Sequence, residues 1–277
     1  MTKANGGSGG RYNIRVLERA FSVLDLLADG VERNLTEISE SIGINTSTTF
    51  RLVASLEYHR YLSRDGGSGK YTLGLACLEL AKSFQVGHAL TRLASPDLEQ
   101  LRDSMRETVH LAVLDGPDVV YLQKLPGLHA IGFLESRVGG RLPAYCTGLG
   151  KVLLAYAQPS NVRALLHDTL ERFTPTTITD VNELMDELAA IRQRGYAFDW
   201  GEHEPDVRCV AAPIFGRDGQ VAAAISIAGP ANRMEPLEKN RPVIEATTTT
   251  AESISKKLGY APNHALATTT ATPTLCT

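Results

Sequence analysis

The chain has 277 residues, 43% of them hydrophobic, with a formal net charge of −3. That length can bury two domain cores, and the near-neutral balance gives no global pull toward polyanions. Four scattered cysteines (Cys77, Cys146, Cys209, Cys276) without a CxxC pair, and no apolar run of spanning length, argue against a disulfide framework, a zinc ribbon and a membrane segment. MTKANGGSGG lacks the apolar core of a signal peptide, so a cytoplasmic location is expected.

Residues 1–10 are glycine-rich and residues 261–277 are rich in Thr and Ala, and both read as disordered tails. Between them, Leu17, Ala20, Phe21, Leu24 and Leu27 recur at helical spacing, with Gly30 near the stop. Leu35, Ile38 and Ile42 mark a short helix ending at Gly43. Asn45 or Thr46 can cap the next helix, whose inner face is expected to carry Phe50, Leu52, Val53 and Leu56. Two short helices joined by a glycine turn make a helix-turn-helix, and YLSRDGGSGKYTL reads as two brief strands forming a wing.

The second helix opens with Thr46, Ser47, Thr48 and Thr49, followed by Arg51. β-branched and hydroxyl residues are poor helix formers, so a plain solvated face would favour Glu, Lys or Ala there. In a major groove the hydroxyls bond phosphates or base edges, and Arg51 reaches a guanine or the backbone. Arg64 and Lys70 on the wing extend the basic face. From Gly43 to Leu75, four basic residues (Arg51, Arg60, Arg64, Lys70) stand against Glu57 and Asp65, a net of +2. So small an excess holds DNA weakly in one copy, which implies a homodimer or homotetramer on a near-palindromic double-stranded operator.

The order of these elements, with STTFRL in the recognition helix, a wing ending KYTLG and then LACLELAKSF, resembles the IclR family of transcriptional regulators. The resemblance implies a winged helix-turn-helix at 11–75, a linker helix at 76–90 with Leu75, Leu78, Leu80 and Phe84 on its buried side, and an effector-binding domain at 91–260.

In that second half, Ser95-Pro96-Asp97 reads as a helix start, and VHLAVLDGPDVVYLQKL as a hairpin around Asp115–Asp118, followed by a strand near Ile131–Leu134. Asp180 to Glu183 resembles a capping box opening a helix that ends at Gly195. Two strands flank Gly216–Gly219, and a last helix is expected over about 236–258, with Thr247–Thr250 unfavourable inside it. Antiparallel strands flanked by helices make an α+β domain.

The stretch CTGLGKVLL mimics a phosphate loop. A Walker motif, however, would need glycine at Tyr145 and a hydroxyl at Val152, so no nucleotide cofactor is expected. What survives is a helix N-terminus able to hold an anion. IclR-type effector domains resemble GAF domains and hold small molecules, often carboxylates. The resemblance (about Tyr12 to Tyr260) places such an effector on the amides of Gly148 and Leu149, with Asp199, Cys209 and Ser226 as polar contacts and Ile131 and Leu134 as apolar ones. Ala228 stands where some members carry a second serine, which points away from glyoxylate- or pyruvate-like ligands and toward a larger or less oxygenated effector.

Asp199, Glu202, His203 and Glu204 invite a metal-site reading, but no HExxH spacing accompanies them and a solvated acidic loop is expected. No GxSxG elbow is present. No catalytic or metal-ligating residue is therefore assigned, and a ligand-responsive repressor is the expected function. The alternative is an enzyme of small organic acids with an accessory DNA-binding-like domain, and turnover of the ligand separates the two.

Overall fold

The computed structural model describes residues 14–87, 89–127, 136–166, 170–234, 236 and 240–261. Most of both expected tails, and the strand expected near Ile131–Leu134, lie outside the described residues. The chain divides into two compact units, Met1–His88 and Ala89–Thr277.

In the first unit, α1 (Arg15–Leu27), α2 (Leu35–Ile42) and α3 (Thr46–Tyr58) pack around Val23, Leu27, Ile38 and Val53. Asn34 and Glu37 cap α2 reciprocally, and Gly43 stops it at φ 65°, a left-handed conformation that glycine adopts at no steric cost. Asn45 caps α3, accepting from the Thr48 N–H at 2.9 Å. That cap sets the helix phase. Thr49, Leu52 and Val53 face inward, while Phe50 turns out and is 54% exposed, against the expected inner position. The wing strands β1 (Leu62–Arg64) and β2 (Tyr71–Leu73) pair antiparallel, and Asp65 accepts from the Gly67 and Ser68 N–H groups to close the tip. Helix α4 (Leu75–Gly87) follows. Leu75, Leu78 and Leu80, expected on a buried side, are 68%, 52% and 58% exposed.

The second unit is a six-stranded antiparallel sheet between helices. Its strands are β3 (Thr108–Asp115), β4 (Asp118–Leu125), β5 (Arg141–Pro143), β6 (Ala197–Asp199), β7 (Val207–Phe215) and β8 (Val221–Pro230), in the order β5-β4-β3-β8-β7-β6. One face packs against α5 (Ala89–Met105) and α10 (Arg241–Lys257). The other packs against α6 (Gly148–Tyr156), which in turn packs on α8 (Val181–Arg194). Short helices α7 (Pro159–Leu165) and α9 (Ala231–Met234) fill connections.

Helix α5 corrects one expectation, because it runs through Pro96 instead of starting there. Leu90, Ala94, Leu98 and Leu101 form a continuous buried stripe, and Ser95 donates to the Thr91 carbonyl at 2.8 Å rather than capping. Burial of that stripe outweighs the one helical bond a proline removes. The last helix starts at Arg241, later than expected. It tolerates its threonines because Thr247 and Thr248 donate to the carbonyls of Val243 and Ile244 at 2.7 and 2.9 Å. Among the described residues no helix is long and apolar enough to cross a membrane.

Candidate DNA-reading helix and effector cavity

On α3, Thr46, Ser47 and Arg51 are exposed and Thr48 half-buried. Arg51 makes no ion pair among the described residues, so its guanidinium is available to a partner. Thr49 leaves the expected DNA-facing set. It is fully buried and its hydroxyl donates to the Asn45 carbonyl at 3.1 Å. On the wing, Arg64 lies over the Tyr71 ring at 5.5 Å and is exposed, with Lys70 half-buried nearby on β2's approach.

In the second unit, strand register brings distant residues together. Asp199 pairs with Cys209 and Cys209 with Ala228, while Ser226 pairs with both Ala211 and His110. Paired residues share a sheet face and positions two apart repeat it, so Asp199, Cys209, Ala228, Ser226 and His110 line one face. Over that face lies the start of α6. Thr147 caps it by accepting from the Gly150 N–H at 3.1 Å. The first-turn amides of Gly148 and Leu149 have no acceptor within the helix. A methyl group at Gly148 would lie 3.1 Å from Cys209 Sγ, and one at Gly150 only 2.2 Å from the Ala144 carbonyl oxygen, so the helix is seated on glycine at both points.

The result is a cavity of about 40 Å³ bounded by Gly148, Leu149, Asp199, Cys209, Ser226 and His110, among others. Of the expected effector contacts, Gly148, Leu149, Asp199, Cys209 and Ser226 all meet here. Ile131 and Leu134 lie outside the described residues. A polar relay that sequence reading missed crosses the cavity. Ser136 Oγ lies 2.9 Å from His110 Nε2, and Ser226 Oγ 3.3 Å from His110 Nδ1. Burial, and secondarily Lys124, pushes His110 down to about 3, so the imidazole is neutral at physiological pH. Burial, followed by the Asp199 charge, pushes the Cys209 thiol up, away from the thiolate that nucleophilic chemistry needs.

Two residues of the acidic stretch, Asp199 and Glu202, are not solvated, contrary to expectation, while His203 and Glu204 are half-buried. Asp199 is buried and its Oδ1 accepts from the Gly201 and Glu202 N–H groups at 3.0 and 2.9 Å. Glu202 is buried and paired with Lys151, itself 1% exposed. The lysine that mimicked a phosphate ligand thus spends its charge inside the protein. Burial, opposed by Lys151, pushes Glu202 up to about 7. Among the described residues no three His, Cys, Asp or Glu side chains group as a metal ion would require.

The chain matches the IclR helix-turn-helix domain over residues 16–66 and the C-terminal domain of bacterial IclR transcriptional regulators over residues 84–256. The chain belongs to the IclR family. It is 36% identical over 251 residues to the HTH-type transcriptional regulator XynR of Escherichia coli K12, covering 89% of this chain and 98% of that one. To the transcriptional repressor IclR of the same organism it is 32% identical over 225 residues, covering 80% and 82%. Among solved structures, an IclR homolog from Microbacterium hydrocarbonoxydans complexed with 4-hydroxybenzoate has a TM-score of 0.77 at 30% identity, over 88% of this chain and 98% of that one. This IclR-family chain is accordingly a DNA-binding transcriptional regulator, with the helix-turn-helix domain in its first unit and the IclR C-terminal domain in its second. His110 gave one usable signal in the sequence, an imidazole inside the otherwise apolar strand HLAVL.

Proposed function

We propose that the protein is a cytoplasmic, effector-controlled repressor that binds a near-palindromic operator as a dimer of recognition helices. Thr46, Ser47, Thr48, Arg51, Arg64 and Lys70 face the DNA, and a small organic acid occupies the cavity under α6. The observation that carries this reading is the meeting of the Gly148 and Leu149 amides, which have no acceptor within their helix, with Asp199, Cys209 and Ser226 at one cavity. The amides take the carboxylate, and Asp199 and the hydroxyls take the remaining oxygens.

The cavity holds only about three water-sized volumes. An acid of more than a few atoms must therefore displace its walls, which ties binding to a conformational change. Assembly is supported by an apolar stripe at the start of α1, where Ile14 just before the helix and Leu17 and Phe21 on it are 59%, 50% and 59% exposed at helical spacing, and by the exposed leucines of α4. Such surface is normally covered, and a second copy would cover it while supplying the second recognition helix. With His110, Ser136 and Ser226 all polar at the cavity, the alanine at 228 no longer argues for a less oxygenated effector.

The test is titration of the purified protein with a panel of small carboxylic acids while operator binding is followed. An acid that weakens DNA binding and is recovered unchanged supports the repressor. An acid that is consumed supports the enzyme alternative instead.

A further inference from the structure

We propose that His203 reads a hydroxyl group on the effector, so that the pocket selects hydroxy acids over the corresponding unsubstituted acids. This rests on the organic-acid reading above and names the feature that the acid must carry. His203 bounds the same cavity as the Gly148 and Leu149 amides and Ser226, and its Nδ1 is buried with no hydrogen-bond partner among the described residues. A buried polar atom left unpaired is costly, and native proteins keep few of them without a use.

The ring has little freedom to seek a partner elsewhere. It packs on Phe173 at 4.7 Å, and Phe173 in turn lies against Tyr145, whose hydroxyl donates to the Glu171 carbonyl at 2.7 Å. The preceding residue is fixed from three sides. Its N–H donates to Asp199, its carbonyl accepts from Thr177 at 2.6 Å, and its carboxylate holds Lys151. A second described imidazole at the cavity, His110, has both nitrogens engaged by Ser136 and Ser226. His203 Nδ1 is thus a ring nitrogen still open to a ligand. A hydroxyl both donates and accepts, so it satisfies either tautomer of the ring.

The test measures binding of matched acid pairs to the full-length protein by calorimetry: glycolate against acetate, lactate against propionate, and 4-hydroxybenzoate against benzoate. The wild type should bind the hydroxylated member of at least one pair about tenfold more tightly or better. His203→Phe keeps the ring packing on Phe173 but loses the nitrogen, and should bring that ratio close to one. His203→Asn restores a polar atom near the Nδ1 position and should recover most of the preference, whether or not the phenylalanine variant folds. Equal binding of both members by the wild type, an undiminished preference in His203→Phe, or no preference in a folded His203→Asn, overturns the inference while leaving the acid site standing. If no acid on the panel binds at all, the organic-acid reading falls and this inference falls with it.

Discussion

Replacing Glu202 by glutamine keeps the side-chain volume and removes its charge, and the consequence for stability should change with pH in a direction that burial fixes. The folded-state pKa of Glu202 is pushed up to about 7 from an ordinary 4.5, chiefly because the carboxyl is buried. A group raised in the folded state contributes stability that is complete below the unfolded pKa and is lost as pH rises through the folded one. At 1.36 kcal/mol per pKa unit, the loss between pH 4.5 and 8 is about 3 kcal/mol. Glutamine resembles the neutral carboxyl and does not suffer that loss.

The difference in stability between Glu202→Gln and wild type should therefore grow in the variant's favour by about 3 kcal/mol from pH 5 to pH 8. At 2–4 °C per kcal/mol for a unit of this size, that is roughly 6–12 °C in Tm. Removing one partner leaves Lys151 buried and uncompensated, so the variant should start less stable than wild type at low pH and recover that deficit as pH rises. The chain has one tryptophan, Trp200, which packs on Phe198 at 5.3 Å two residues from Glu202, so its fluorescence follows unfolding of the right unit. A difference that stays flat from pH 5 to pH 8 would mean that burial does not raise the Glu202 carboxyl.

On the recognition helix, Arg51→Ala should weaken specific DNA binding by about 1–3 kcal/mol with the fold intact, whereas Thr49→Val should leave the DNA affinity unaltered, both read by anisotropy. Gly150→Ala forces a methyl group to within 2.2 Å of the Ala144 carbonyl oxygen, so it should lower Tm by several degrees, and a fully stable variant would mean that α6 is not seated as described. Asp199→Ala should lose the response to an acid effector in a DNA-release titration while still binding DNA, and a normal response would place the effector elsewhere.

Local signals carried the reading of the first unit. Gly43, Asn45 and the glycine-rich wing tip each act within a few residues of themselves, and the structure has a turn, a cap and a hairpin at those places. Gly195 and Asp180 bounded α8 for the same reason. Phase was harder. A one-residue difference in where α3 begins exchanges Thr49 and Phe50 between inside and outside, and hydroxyl composition alone does not fix it. The proline in α5 misled because a local breaker was outvoted by a buried stripe that extends on both sides of it.

The cavity was legible only in the residues that the family resemblance supplied. His110 meets Ser226 across 116 residues, and Lys151 meets Glu202 across 51. Those meetings follow from strand register and the seat of α6, which no local pattern encodes. Burial of Asp199 and Glu202 follows from the same long-range packing, so two carboxylates of a run that reads as solvated are instead closed inside.

The proposed coupling is of specific DNA binding to recognition of a small acid within one protein. It is tested most directly by fluorescence anisotropy on DNA from upstream of the protein's own gene. The assay would run at two salt concentrations with excess nonspecific competitor, with and without the acid panel. Binding should survive competitor, and one acid should shift the affinity by about 5- to 150-fold. Binding abolished by competitor at both salts, or left unmoved by every acid, would contradict that coupling.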